Sequence, residues 1–254
     1  MPTLSGFDFL GWYTAPDFNE NTKISGTTYT PTEEGAVTIY ARFAKTLVVD
    51  FNESDFYVVG EEKTIDSIKY VGNKASSAFS AEVKNDVEGD KYLLWIRGTE
   101  DSSFNYRSSL NSFLSGATKL TYTVDIATNG DALPSYSYLR IRGKSSSESI
   151  IVFRVLKSGN ITLGTDEKNP TVLAKISSDF VRISVTVDFE SGMLYATDAD
   201  GNACEREFSI PSGYASYNEY VETCETYLFD WYAIKSGNKD SALRIDNISI
   251  KAEF

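Results

Sequence analysis

Histidine is absent from the sequence, and this absence excludes more function classes than any other feature of the composition. Without an imidazole, the chain lacks the Ser–His–Asp and Cys–His arrangements of nucleophilic catalysis and the commonest ligand of zinc and iron. A catalyst built from this chain would have to use carboxylates, tyrosine, lysine or arginine. We therefore predict that the protein is not an enzyme and that it has no catalytic residues.

Cysteine is scarce as well, with only Cys204 and Cys224 in 254 residues. Their separation does not form a CxxC motif, and two thiols without an imidazole make a poor metal site. A disulfide between neighbouring loops and a pair of buried thiols are both compatible with this spacing.

Basic residues are outnumbered by acidic ones, which gives a net charge of −12 and a pI near 4.6. Nucleic acids and anionic lipid surfaces would be repelled, because both are bound largely through Lys and Arg. No apolar run approaches the ~20 residues that a membrane-spanning helix needs, so we predict no membrane insertion. The start, MPTLSGFDFL, has neither the basic nor the apolar region of a signal peptide. If the protein is exported, we expect this chain to be a monomeric module of a longer protein.

Strand patterns dominate what the sequence does contain. Alternating runs rich in Val, Ile, Thr, Tyr and Phe are separated by Gly, Asn, Asp and Ser, whereas only residues 108–116 show helical spacing. Many strands without intervening helices predict an all-β, antiparallel sandwich or barrel. The clearest strand segments are KLTYTVDI (119–126), YSYLRIRG (136–143), IIVFRVL (150–156), VRISVTVDF (181–189), TYLFDWYAI (226–234) and ALRIDNISI (242–250).

One hairpin is nearly explicit in MLYATDADGNACEREF, residues 193–208. The pair Asp200-Gly201 suits a tight turn between two strands. The alternative is a calcium loop that uses Asp198, Asp200 and Asn202, but the spacing is one residue short of an EF-hand loop. The turn is the favoured interpretation, because turns need the same residue types.

The chain divides near residues 44–47, where the segment VTIYARF (37–43) ends and LVVDFNESDF (47–56) begins. We predict two units, 1–45 and 46–254. No proline-rich linker separates them, so the units are expected to pack against each other.

The first unit carries FDFLGWYT at residues 7–14, a Thr-rich middle, and a closing IYARF at residues 39–43. This pattern resembles the Listeria–Bacteroides repeat, a small β-grasp-like module of bacterial surface proteins, with Phe43 where Trp is more usual. The resemblance implies an extracellular or cell-wall-associated, multi-domain protein. It does not imply any catalytic activity. Physically, the aromatic side chains of Phe9, Trp12, Tyr40 and Phe43 are expected to form the core of this unit, and Gly11 is expected to kink its first strand.

The second unit resembles concanavalin A-like or laminin G-like jelly-roll domains in the segments 120–126, 180–203 and 242–254. In such domains a structural calcium often joins the first and last strands. The candidate ligands here are Asp50, Glu53 and Asp246, whose carboxylate oxygens suit that ion. Solvated strand-end acids are the alternative interpretation.

Alternation along the strands predicts which side chains face away from the core. In YLLWIRG (92–98), alternation assigns Tyr92, Leu94 and Ile96 to the core face. In YSYLRIRG, it assigns Leu139 and Ile141 to that face. The candidates for ligand binding on the opposite faces of these two strands are Trp95, Arg97, Tyr136, Tyr138, Arg140 and Arg142. Trp231, in TYLFDWYAI, is a further candidate. Aromatic rings and guanidinium groups in one patch suit a polysaccharide or cell-surface glycan. Tyr214, Tyr217 and Tyr220 are also expected to be exposed, on a recognition loop.

Three function classes remain open. The favoured one is a non-catalytic carbohydrate-binding or adhesion module. A polysaccharide-degrading enzyme is the first alternative, but Glu225 and Asp230 in ETYLFDW lie on opposite faces of a strand, unlike the paired acids of glycosidases. A lyase-like set, Arg140, Arg142, Tyr232 and Lys235, lacks the histidine of the lyases that it resembles. The second alternative is a structural spacer, which predicts that there is no concave groove.

Overall fold

The structure, a computed structural model, describes residues 2–32, 34–49, 51–52, 62–65, 68–71, 79–97, 102–106, 116–129, 136–142, 149–165, 168–217, 219–220, 227–233 and 242–254. For 49, 62–65, 68–71, 79–82, 95–97, 102–106, 136–137, 142 and 227–233, it describes the backbone alone. The helical spacing at 108–116 lies almost entirely outside these residues.

Nearly all of the regular structure in the described residues is extended, apart from a short 3₁₀ turn at Glu20–Thr22 and helical residues at 217 and 219–220. The strands, in chain order, are β1 (Asp8–Tyr13), β2 (Tyr40–Val49), β3 (Glu62–Ile65), β4 (Ile68–Val71), β5 (Phe79–Asn85), β6 (Lys91–Arg97), β7 (Ser102–Tyr106), β8 (Lys119–Thr128), β9 (Tyr136–Arg142), β10 (Ser149–Leu156), β11 (Asn160–Leu163), β12 (Thr171–Lys175), β13 (Val181–Asp188), β14 (Met193–Thr197), β15 (Ala203–Glu207), β16 (Tyr227–Ala233) and β17 (Ala242–Glu253).

The strands form two main antiparallel sheets. The larger sheet has the order β1-β2-β17-β8-β13-β14-β15, and β6 also pairs with β17 and carries β5 at its side. The smaller sheet has the order β12-β11-β10-β9-β16-β7, while β3 and β4 form a separate hairpin. The prediction of an all-β, antiparallel sandwich is therefore confirmed.

One apolar cluster lies between the two main sheets. It joins Val124 and Val185 of the larger sheet to Ile141, Phe153 and Leu163 of the smaller one, all of them buried. These side chains follow the alternation of their strands, in which successive residues point to opposite faces, except in β10, where a bulge between Ile151 and Phe153 brings the adjacent Val152 and Phe153 into the same cluster. In β13 the prediction is confirmed for Ile183, Val185 and Val187, and Val181 packs at the margin of the cluster.

The strand β2 runs through the predicted boundary at 44–47 without interruption. Its first half pairs with β1 and its second half pairs with β17, and Ala44 takes part in both ladders, opposite Asp8 and Glu253. The rings of Phe7 and Phe254 also meet edge to face, with their centroids 5.2 Å apart. The division into 1–45 and 46–254 stays a prediction, but the described strands place both parts in one sheet.

The packing of the first unit differs in detail from the expectation. The ring of Phe9 contacts those of Trp12 and Phe43, whose centroids lie 5.6 and 5.7 Å from its own, but all three side chains are only half-buried. Tyr13 is the fully buried aromatic residue. The expected kink is present, because β1 has a bulge between Phe9 and Gly11, and Gly11 has a φ of 146° that favours glycine.

Candidate functional site

The outer face of the larger sheet, the face that points away from the apolar cluster, carries polar residues in register across β8 and β13. Hydroxyl groups bridge the strands at Thr121–Thr186, with oxygens 2.9 Å apart, and at Thr123–Ser184, 3.0 Å apart. These residues alternate with the buried valines and isoleucines of the same strands, so a single sequence pattern produces both the core and this surface.

An open groove of about 710 Å³ lies on this face, above β13, β14 and β15. Its floor is supported by three strands in continuous antiparallel pairing, so its side chains are anchored on rigid backbone. The lining consists of small hydroxyl residues, one aromatic residue and a few charged groups: Arg182, Ser184, Thr186, Tyr195, Ala196, Thr197, Asp198, Ala203, Cys204 and Glu205.

Tyr195 is the aromatic residue of the groove, and it is 39% exposed. It lies in register between Thr186 of β13 and Glu205 of β15. Its neighbour Leu194 is buried in the apolar cluster, and alternation therefore directs the ring of Tyr195 to the outer face.

Arg182 is held at one end of the groove by a carboxylate. Its Nε and Nη2 groups donate to the two oxygens of Asp125, each at 2.7 Å, and Asp125 is only 8% exposed. Hydrogen bonding and attraction by Asp125 raise the pKa of Arg182 above its ordinary value. Asn247 donates a further bond to Asp125 at 2.9 Å. The guanidinium group is therefore fixed in position and paired in charge.

The hairpin turn between β14 and β15, whose Asp198 also lines the groove, confirms the turn interpretation of the DADGN sequence. Asp198 accepts backbone N–H bonds from Asp200 at 3.0 Å and Asn202 at 2.7 Å, and its second oxygen accepts the Asn202 side-chain amide at 3.0 Å. Both oxygens of the carboxylate are thus used within the turn, as in other Asx turns.

These hydrogen bonds lead to a prediction for acid titration. The side-chain and backbone donors of Asn202 hold the pKa of Asp198 below its ordinary value of 3.8. A carboxyl group whose pKa is lower in the folded state stabilises the turn fully at a pH above its unfolded-state pKa. This stabilisation is lost as the pH falls through its folded-state pKa. Carboxyl-carbon NMR should show the low pKa in the wild type and a value closer to 3.8 in Asn202→Ala. An identical titration of the two proteins would contradict this account of the turn.

The predicted ligand-binding residues divide between the two sheets. Trp95 and Arg97 belong to β6, which pairs in the larger sheet; the others belong to β9 and β16 of the smaller sheet. By register, Trp95 lies opposite Leu243, Trp231 opposite Leu139, and Tyr136 opposite Leu156. The side chains of Trp95, Arg97, Tyr136, Arg142 and Trp231 lie outside the description, and their ligand-binding role stays a prediction.

The expectation that Arg140 is exposed is wrong. Leu139 and Ile141 do face the core as predicted, which directs Arg140 to the opposite face of β9. That face is covered, and Arg140 is only 6% exposed, with its guanidinium carbon 5.4 Å from the ring centroid of the half-buried Tyr138. Alternation determines which face a residue occupies, but it does not show whether other segments cover that face.

The alternation assumed for β6 is also wrong. Leu93 belongs to the apolar cluster, whereas Tyr92 lies on the outer face, with the guanidinium carbon of Arg244 5.5 Å from its ring centroid. Leu94 is buried, but it lies outside that cluster. Because Leu93 and Leu94 are adjacent and equally apolar, the sequence does not show which of the two faces the core.

The predicted calcium site is only partly within the description, which excludes Asp50 and Glu53. Asp246 is buried and lies opposite Asp125 in the ladder, next to a bulge at which Asn247 has a φ of 48°. Asn247 donates its backbone N–H to Asp246 at 2.8 Å. Among the described residues there is no group of three or more carboxylates or thiols that could hold a metal ion, and the calcium stays a prediction.

The tyrosines of residues 213–222 are not an exposed recognition loop, and that prediction is wrong. Tyr220 is fully buried and donates to the carbonyl oxygen of Ile141 at 3.1 Å. Tyr214 packs edge to face on Tyr220, and Tyr217 packs against Phe189. These rings cover the apolar cluster.

Of the two cysteines, Cys204 has a free thiol and is half-buried on β15, while Cys224 lies outside the described residues. Four positions named for the enzyme alternatives also lie wholly or partly outside the description. Glu225 and Lys235 are not described, and only the backbone of Asp230 and Tyr232 is described.

The groove itself was not identified from the sequence. The available signal was the alternation of Arg182, Ser184 and Thr186 with core residues, which marks these positions as facing away from the core. Their partners on β8 lie 57 to 65 residues away in the chain, and the strand pairing that joins them is not visible in either segment alone.

Comparison with known proteins adds information on the fold. No protein-family model and no curated protein matches the chain. Among solved structures, a protein of unknown function from Shewanella oneidensis MR-1 is similar, with a TM-score of 0.56 and 13% identity over 91% of this chain and 97% of that one. The carbohydrate esterase of the Shiga toxin-encoding bacteriophage phi24B has a TM-score of 0.48 and 11% identity over 81% and 97% of the two chains. At such identities the similarity describes the fold alone.

Within the part of the chain that the structure describes, no helix has both the length and the apolar character needed to cross a membrane.

Proposed function

We propose that this chain is a non-catalytic carbohydrate-binding or adhesion module of a secreted or cell-surface protein, and that a saccharide binds in the groove on the outer face of the larger sheet. The observation that carries the proposal is the composition of that groove, in which an exposed tyrosine lies among hydroxyl, carboxylate and guanidinium groups.

Sugars match this composition because they have two kinds of surface. The C–H faces of a pyranose ring are apolar and stack on an aromatic plane, which Tyr195 provides. The ring hydroxyls both donate and accept hydrogen bonds, and Ser184, Thr186, Thr197 and Glu205 supply partners of both kinds. Apolar contact with a few placed polar groups is the usual chemistry of a small-molecule site.

The site is also rigid before a ligand arrives. Thr186 is bonded to Thr121, Ser184 to Thr123, and Arg182 to Asp125. Side chains held in this way lose little conformational entropy on binding, so a larger part of the contact energy appears as affinity. A groove with such a floor is not expected of a structural spacer.

Asp198 does not suit the general-acid role of glycoside hydrolysis. A glycosidase needs a general acid whose pKa is raised, so that it carries a proton at neutral pH. The pKa of Asp198 is lowered instead, and both of its oxygens accept bonds within the turn. This arrangement favours binding without catalysis.

Replacing Tyr195 by alanine tests the proposal. Isothermal titration of the full chain against soluble dextran, arabinoxylan, galactomannan, alginate and polygalacturonate should find at least one polymer that binds. We expect Tyr195→Ala to weaken that binding about tenfold or more, because truncation of a central aromatic contact costs about 1.4 kcal/mol or more. The fold should be unaffected, since this ring is exposed.

Two controls make the result specific. Tyr195→Phe keeps the ring and should retain most of the affinity, and Tyr29→Ala removes an exposed tyrosine outside the groove lining. Unchanged affinity in Tyr195→Ala would refute the placement of the site. Release of reducing ends or unsaturated products during prolonged incubation would refute the non-catalytic assignment.

A further inference from the structure

We infer that the groove selects neutral glycans and discriminates against uronates and other anionic polysaccharides. This inference rests on the proposed function and defines its ligand class by charge. It follows from the ion pairs of the described residues on the outer face of β17, β8, β13, β14 and β15.

Carboxylates outnumber cations on this face. The strands and the adjoining turn present four cations, Lys119, Arg182, Arg244 and Lys251, and seven carboxylates, Asp125, Asp188, Asp198, Glu205, Glu207, Asp246 and Glu253. The whole chain has a net charge of −12, so the local excess has the same sign as the global one. An anionic polymer therefore approaches against the field of the protein.

Three of the four cations already contact a carboxylate, and Arg244 donates instead to the carbonyl oxygens of Thr128 and Ser178. Lys119 lies 3.3 Å from Asp188, Arg182 lies 2.7 Å from Asp125, and Lys251 lies 2.8 Å from Glu253. Arg182 alone of the four lines the groove. Recognition of a uronate carboxylate would therefore depend on Arg182.

The Arg182–Asp125 pair makes that recognition costly. The bond is bidentate, and a uronate would have to displace Asp125 to obtain the same geometry. Asp125 is largely buried beside Asp246, so it would be left without its strongest partner in a site where solvation is poor. A hydroxyl group needs no such exchange, because the two bonds leave other guanidinium N–H groups able to donate.

Glu205 and Asp198 act in the same direction. Glu205 lies in register beside Tyr195, where a ring stacked on the tyrosine would place its hydroxyls. A carboxylate accepts strong hydrogen bonds from sugar hydroxyls, whereas it repels a sugar carboxylate at the same position. The groove thus favours many O–H groups and disfavours negative charge.

A matched pair of polymers tests the inference. One is a neutral polymer of the panel that binds and has free primary hydroxyls, or, if dextran alone binds, a neutral glucan that has them; the other is the same polymer oxidised at the primary hydroxyl to the carboxylate, which leaves the sugar ring intact. Titrations of the full chain at 20 and 300 mM NaCl should show at least tenfold weaker binding of the oxidised form at low salt. The difference should narrow at high salt, since screening shortens the range of repulsion to several ångströms.

The variant Asp125→Asn keeps the size of the side chain but removes the charge that neutralises Arg182. It should raise the affinity for the oxidised polymer relative to that for the neutral polymer about fivefold or more, because the guanidinium then has an uncompensated charge. Glu88→Gln is the matched control, since it changes the net charge equally on the turn between β5 and β6, outside the groove lining. Thermal melting checks that both variants fold.

The outcomes separate this inference from the proposed function. Equal or tighter binding of the oxidised polymer by the wild type, abolished by Tyr195→Ala, would overturn the selectivity and leave the binding site in place. An unchanged preference in a folded Asp125→Asn protein would overturn the role of the ion pair. Absence of binding to every polymer would overturn both the proposed function and this inference.

Discussion

Replacement of Tyr220 by alanine is expected to lower the free energy of unfolding by about 3–5 kcal/mol, the usual cost of removing a fully buried aromatic ring. The ring is inaccessible to solvent and belongs to the apolar cluster between the sheets. Its hydroxyl donates to the carbonyl oxygen of Ile141, which adds a bond between this segment and β9. Denaturant unfolding followed by tryptophan fluorescence or circular dichroism gives the measurement.

Two further variants separate the contributions of this residue. Tyr220→Phe removes only the hydroxyl and should cost about 0.5–1.5 kcal/mol. Tyr214→Ala removes a half-buried ring that packs on Tyr220, and its cost should fall between the two. A small stability loss in Tyr220→Ala, accompanied by a loss of glycan binding, would restore the recognition-loop interpretation that the structure overturns.

Replacement of Tyr13 by alanine is the second substitution with a large expected effect, again about 3–5 kcal/mol. Tyr13 is fully buried, packs edge to face on Phe18, and donates to Glu20 at 3.1 Å. The guanidinium carbon of the buried Arg42 lies 5.7 Å from the Tyr13 ring centroid. Arg42 also forms an ion pair with Glu253 at the end of β17, so the loss of Tyr13 disturbs a contact between the two predicted units.

This variant also shows whether the two predicted units unfold together. Because β2 pairs with both β1 and β17, we expect a single cooperative transition that shifts as a whole in Tyr13→Ala. Tyr29→Ala, at an exposed position, should change stability by no more than about 0.5 kcal/mol. Two separate transitions, of which only one responds to Tyr13→Ala, would show that residues 1–45 form an independent domain.

The fold class was accessible from the sequence because strand alternation is a local property. Ile183, Val185 and Val187 are buried as their spacing predicts, and the hairpin between β14 and β15 follows from the Asp-Gly pair and the Asx turn of Asp198. These features depend on residues close together in the chain. They need no knowledge of distant segments.

The ligand-binding residues were less accessible because exposure depends on distant segments. Arg140 faces away from the core as expected, yet it is covered. Tyr220, in a segment with the composition of a surface loop, lies beneath the surface, since apolar clusters must be closed at their margins. Composition and parity do not distinguish such positions from exposed ones.

The sequence by itself determined an antiparallel β protein with a strongly acidic surface and no imidazole chemistry. The tertiary structure alone decided which face is available to a ligand and how its charges are paired. The physical reason is that Asp125 and Arg182 meet only when β8 and β13 pair, 57 residues apart in the chain. A carboxylate and a guanidinium that look like separate surface charges in the sequence become one neutralised unit whose guanidinium lines the groove.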